Sequence, residues 1–172
     1  MGLAEIGMGV LILLVIVGGA LFYSLTHQQA ALDRAKSSPP PPKRPPAKYA
    51  VVELKPGIGL ALHLRDHANR AEDRSLRPFL EIGATGRPPS TTFGEALDDP
   101  RMQAALTGVY LIRADLEVFA DDPLLDELQP HTIPVFFELD AAGRSTGRKI
   151  DGGAWGADTI ENMSATMTKF FA

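Results

Sequence analysis

The chain has 172 residues, 45% of them apolar and 22% charged, a balance that fits one folded domain with appendages. It contains no cysteine, which excludes disulfides, thiolate metal sites and thiol catalysis. The net charge of −4 is split between a basic segment at 27–48, with five basic residues against Asp33, and an acidic remainder at 49–172, with 12 basic against 19 acidic residues; this argues against a nucleic-acid partner.

Residues 1–5 form a short N-terminal tail whose only charged side chain is Glu5. From 6 to 26 the chain runs for about 21 residues without a charge, long enough for one transmembrane helix. A cleaved signal peptide would require a basic start, a shorter apolar core and a small-x-small exit, none of which these residues supply. Residues 27–48 are a basic, proline-rich linker. Its segment SSPPPPKRPPAK favours polyproline II, a semi-rigid stalk of roughly 35 Å at about 3.1 Å per residue.

The folded domain is expected over 49–172. A strand at 50–54 leads through a Pro56-Gly57 turn into 58–74, where apolar alternation competes with a helical stripe of Leu60, Leu64, His67 and Ala68. The polar run RDHANRAEDR favours the helix. A short apolar strand at 79–82 ends at Gly83, and a helix starts in the 88–91 region and runs to the Asp98-Asp99-Pro100 break. Asp99 caps the short helix that follows, ending near Leu106, with Pro100 in its first position. Strands at 109–112 and 134–139 flank a short helix at 123–128. A turn at 140–143 leads to a strand at 145–150. The helix at 158–171 closes the chain with Ile160, Met163, Met167 and Phe170 on one face. The order is α/β with a mixed sheet.

With Thr132-Ile133-Pro134 opening a strand, this order resembles the thioredoxin superfamily. The fold class expected is thus α/β, a thioredoxin-like mixed sheet flanked by helices and preceded by one transmembrane helix. The run from Asp98 through GVYLIRADL to TIPVFFELDAAGR is similar to the C-terminal thioredoxin-like domain of bacterial thiol:disulfide interchange proteins. That family carries a Cys-x-x-Cys pair at a strand-to-helix corner, where the helix N-terminus activates a thiol. Matched without gaps, its cysteines fall on Gly86 and Pro89, its preceding tryptophan on Thr85 and its buried strand carboxylate on Leu80. Glu81, one step along, points to the other side of the sheet. Pro134 matches the family's cis-proline.

The resemblance implies no catalytic residue, cofactor or metal here, and thiol–disulfide chemistry is excluded by the lack of cysteine. What it leaves is a binding groove for a protein or extended peptide between Arg87, Pro88, Ile133, Pro134 and the loop of Trp155, with packing as the competing role for Trp155. His63 and His67 have an i, i+4 spacing without an identifiable third ligand, so no metal site is expected.

The expected function is a membrane-anchored, redox-inactive binding module for assembly or folding. A structural accessory subunit of a membrane complex is the alternative, and a non-thiol enzyme using Ser90, Thr85 or Arg87 a third. A serine nucleophile needs an adjacent base, and the sequence gives none beside Ser90. Arg34 and Lys36 follow the apolar span and nothing basic but the α-amino group precedes it, which puts the domain on the cytoplasmic side. The extracytoplasmic side is the alternative, because the similar interchange domains work there.

Overall fold

A computed structural model describes residues 48–172; the transmembrane helix expected at 6–26 and the linker expected at 27–48 lie outside the described residues, apart from Lys48 itself. Among the described residues, no helix is long and apolar enough to cross a membrane.

The elements follow the expected order. Strand β1 is Ala50–Glu53, helix α1 Leu60–Asp73, strand β2 Arg77–Gly83, helix α2 Pro88–Ala96, helix α3 Pro100–Ala105, strand β3 Val109–Asp115, helix α4 Pro123–Leu128, strand β4 Val135–Leu139, strand β5 Ser145–Asp151 and helix α5 Ile160–Phe171. The ambiguous stretch after Gly57 is helical from Leu60, with Leu60, Leu64, Ala68 and Ala71 buried on one face. Strands β2 and β3 each extend to seven residues, beyond their apolar runs, because they pair with each other along their whole length. A single 3-10 turn at Gly152–Trp155, which the sequence did not announce, joins β5 to the loop before α5.

The sheet order is β1-β3-β2-β4-β5; β1, β3 and β2 are parallel, and β4 is antiparallel to both its neighbours, β2 and β5. Alternation sorts the side chains onto two faces. Leu80, Ile82, Tyr110, Ile112, Val135 and Phe137 pack with α1 and α4. Phe79, Leu111 and Phe136 pack on the other face with Phe93 of α2, Met102 of α3 and Met163, Met167 and Phe170 of α5. The mixed, helix-flanked, thioredoxin-like sheet expected from the sequence is therefore present.

Two aspartates set helix starts. Asp99 accepts from Arg101 N at 2.9 Å, with Pro100 in the first position of α3, as its sequence predicts. Asp122 does the same for α4, accepting from Leu124 N at 3.0 Å, and its other oxygen accepts from Leu60 N at the start of α1, 2.6 Å away. One carboxylate thus caps two helices and ties the β3–α4 connection to the first helix.

Candidate functional site

The C-terminal ends of β2 and β3 meet the N-terminus of α2, the place where open α/β sheets present their crevice. Here a cavity of about 360 Å³ is lined by Glu53, Glu81, Thr85, Ser90, Arg113 and Asp115, with small residues such as Gly83 and Gly94 between them. Its size is at the low end of the range for small-ligand pockets.

Glu53, Arg113 and Glu81 stand abreast on β1, β3 and β2, because the parallel register pairs Glu53 with Arg113 and Arg113 with Glu81. Glu81 is 1% exposed and bonds the Arg113 Nε through Oε2, with Nη2 3.4 Å from Oε1. The third guanidinium nitrogen, Nη1, is 2.8 Å from Glu53 Oε1, and the Glu53 side chain is 74% exposed. Burial pushes the Glu81 carboxyl upward, and Arg113 opposes that shift through its charge and its hydrogen bonds. Room for the pair comes from small residues. A Cβ at Gly83 would sit 3.0 Å from Glu81 Oε1 and 3.2 Å from Ser90 Oγ, and one at Gly94 would sit 3.3 Å from Arg113 Nη2.

This geometry corrects the sequence reading of the corner. Leu80 belongs to the core on the α1 side, whereas Glu81 shares the face of Phe79 with α2. Glu81 does point away from Leu80, but the corner helix lies on its side of the sheet. A buried carboxylate is therefore present beneath the corner. The sequence signal was a charged residue inside the buried run FLEIG, with a basic residue at the matching end of a neighbouring parallel strand.

The corner's polar groups are engaged internally. Ser90 Oγ accepts from Ala84 N at 3.1 Å. Thr85 donates both its N–H, at 2.8 Å, and its hydroxyl to Asp115 Oδ2. Asp115 Oδ1 accepts from Glu117 N and Val118 N, and these bonds together hold the Asp115 carboxyl below the usual range although burial works against them. Gly86 has φ +77, a left-handed conformation suited to glycine, while Arg87 at the α2 N-cap has φ −92.

Of the expected groove residues, two are exposed at the corner, whereas Pro134 and Trp155 are buried. Arg87 and Pro88 are exposed at the corner, and Arg87 Nη2 is 3.8 Å from Glu117 on the loop after β3. Pro134 follows a cis Ile133-Pro134 bond, as expected, and precedes β4, on the opposite side of β2 from β3. Ile133 is half-buried and Pro134 buried. Trp155 is 4% exposed, so it packs rather than lining a groove. Its ring lies against Phe93 and Phe136, and Nε1 donates to Asp158 at 2.8 Å, which satisfies the indole without solvent. Gly152 has both Pro134 and Trp155 as close neighbours: a Cβ there would lie 3.2 Å from Pro134 Cδ and 3.3 Å from Trp155 Cζ2.

His63 and His67 stack at 6.3 Å between ring centroids, but His63 Nε2 is 3.0 Å from Lys55 O and His67 Nδ1 is 3.0 Å from the Tyr110 hydroxyl. Among the described residues, no group of three or more His, Asp or Glu side chains is placed to hold a metal ion.

No protein-family model and no curated protein matches the chain. Solved structures to which it is similar include a thioredoxin pre-protein of Schistosoma mansoni, at 14% identity over 70% of this chain and 98% of that one, with a TM-score of 0.45. The thioredoxin NaTrxh from Nicotiana alata matches at 14% identity over 73% of this chain and 96% of that one, with a TM-score of 0.47. Thioredoxin O1 from Arabidopsis thaliana in its oxidised state matches at 15% identity over 72% and 99%, again with a TM-score of 0.47.

Proposed function

We propose that the chain is a membrane-anchored binding module of thioredoxin-like fold, without thiol chemistry, that holds a segment of a partner protein in extended conformation beside Thr132 and Ile133. The observation that carries this reading is the backbone of Thr132 and Ile133. Neither residue makes a backbone hydrogen bond among the described residues, whereas Gly152 N already donates to Pro134 O on the β5 side. Thr132 is exposed, so its backbone groups are open to an added strand. Arg87 and Pro88 lie at the neighbouring corner and Trp155 is buried.

The similarity to the C-terminal domain of bacterial thiol:disulfide interchange proteins belongs to the same proposal, with a shifted correspondence. Placing the family's buried carboxylate on Glu81 moves its two cysteine positions from Gly86 and Pro89 to Arg87 and Ser90. Those residues occupy the N-cap and third positions of α2, and neither needs a left-handed backbone. Ser90 then stands where the inner thiol would be, and its hydroxyl holds the corner closed.

Residues 6–26 anchor the module, with the domain on the cytoplasmic side by the bias of Arg34 and Lys36. Reporter fusions at Ala172 test that side: active alkaline phosphatase with dark green fluorescent protein places the domain outside the cytoplasm instead. The binding reading is tested with a photocrosslinking residue at Thr132 in the full chain. A discrete adduct from Thr132 that persists without residues 1–36 is the expected result. Adducts that form only from positions within 6–26 favour the accessory-subunit alternative, in which the anchor itself makes the contacts.

A further inference from the structure

We propose that the cavity under the α2 corner is a carboxylate-binding site, in which the Arg113 guanidinium, clamped from behind by buried Glu81, receives the ligand's carboxylate in place of Glu53. The inference does not depend on the Thr132–Ile133 groove, which lies on the other side of β2.

Three features of the cavity converge on this ligand. Arg113 is held by Glu81, so its plane is fixed before anything binds. Its remaining nitrogen, Nη1, faces an acid that is itself 74% exposed and sits at the end of the edge strand β1. Glu53 is the solvent-screened partner of that pair, whereas Arg113 is 19% exposed, so Glu53 is the side that a ligand can displace. A carboxylate that also fills the cavity would gain contacts Glu53 does not make. Asp115, the other acid of the lining, has both oxygens occupied by donors from Thr85, Glu117 and Val118. Those bonds fix its orientation on its own loop, while the carboxylate stays ionised. The hydroxyl-bearing and small residues Ser90, Thr91 and Gly94 form the α2 wall and leave space for a ligand the size of a small organic acid or one C-terminal residue of a peptide.

The test uses the full chain in detergent, with the Arg113 Nε–Hε signal and the amides of Ser90, Thr91 and Gly94 followed by ¹⁵N NMR. The probes are succinate, N-acetyl-trialanine with a free carboxyl terminus, and the same tripeptide amidated. The expected result is a saturable shift with at least one of the two acids and none with the amide. Whichever acid binds more tightly identifies the source, a small acid or a peptide terminus. The Glu53→Gln variant, altered only at an exposed side chain, should bind the acid roughly two- to fivefold more tightly because its competitor is gone. Arg113→Lys keeps a cation beside Glu81 but lacks the planar fork, and should bind at least several-fold more weakly. No shift with either acid at concentrations of order 10 mM overturns the proposal. So does an equal response to the amide, or a Glu53→Gln variant that binds no more tightly than the native chain.

Discussion

The carboxylate of Glu81 and the guanidinium of Arg113 face each other from adjacent parallel strands, with Glu81 1% and Arg113 19% exposed. A pair so placed contributes little net stability compared with apolar replacements, but breaking it leaves a buried charge alone. Arg113→Met should therefore destabilise the domain by about 3–5 kcal/mol. The double replacement Glu81→Leu with Arg113→Met should recover most of that loss. Chemical denaturation of the four members of the cycle checks this. A double variant as unstable as Arg113→Met alone would show that the position needs polarity for some other reason.

Asp122 caps both α1 and α4, through Leu60 N and Leu124 N, whereas Asp99 caps only α3. Loss of a single cap costs about 0.5–2 kcal/mol. Asp122→Ala should consequently cost about twice as much as Asp99→Ala, and should loosen the start of α1 in hydrogen exchange although that helix lies 62 residues away in sequence. Equal losses for the two variants would mean that the Leu60 contact adds nothing.

The turn between β4 and β5 sits directly on the backbone of α1. Gly143 has φ +78, and a Cβ there would lie 2.6 Å from both Arg65 N and the Leu64 carbonyl carbon. Gly147 has φ +87 with nothing within 4 Å of such an atom. Alanine at Gly147 should cost only the left-handed backbone, about 1–2 kcal/mol. Alanine at Gly143 must add a backbone clash and should cost clearly more, which thermal unfolding of the two variants compares directly.

His67 is buried against the Tyr110 hydroxyl. Burial first, then the charges of Arg70, His63 and Arg74, hold its pKa below the ordinary value, with Asp66 pulling the other way. The unfolded chain therefore binds the proton more readily than the folded one. The stability due to neutral His67 is present above about pH 6.5 and is lost as pH falls from there towards the lowered folded value. The melting temperature should drop between pH 8 and pH 5, and His67→Gln should reduce the drop. A variant with an unchanged pH slope would assign the acid sensitivity to other groups.

The order of elements was legible because each carries its own local signal. The apolar runs of β2, β3 and β4 and the Asp-Pro starts of α3 and α4 need no partner to be read. What was missed depends on register. Glu53, Arg113 and Glu81 become neighbours only once three strands are aligned, and Asp122 reaches α1 only through the folded β3–α4 connection. The resemblance places Trp155 at the groove, with packing as its competing role, and the structure buries it at 4% exposure. Asp158, three residues on, satisfies its indole and lets it sink into the core. The proposed one-residue shift of the corner has a different basis: matching motif to motif without gaps takes no account of which side of the sheet the helix takes, and Glu81, not Leu80, is on the side of α2.

That one-residue shift can be tested with cysteines. Residues at the N-cap and third position of a helix are neighbours on one side, with Cβ atoms about 5–6 Å apart, near the separation a disulfide needs after small adjustments. Arg87→Cys with Ser90→Cys places one thiol at the exposed mouth of α2 and the other beside Glu81, at ordinary backbone angles for Arg87. The helix N-terminus would lower the pKa of the outer thiol. Gly86→Cys with Pro89→Cys instead forces a side chain onto a residue at φ +77. The first pair should close to a disulfide under mild oxidation with its melting temperature retained, and the second should close more slowly and destabilise the domain. Thiol titration and thermal unfolding of both double variants read the outcome. If the Gly86 and Pro89 pair oxidised as readily and as harmlessly, the ungapped correspondence would stand and the shift onto Glu81 would be wrong.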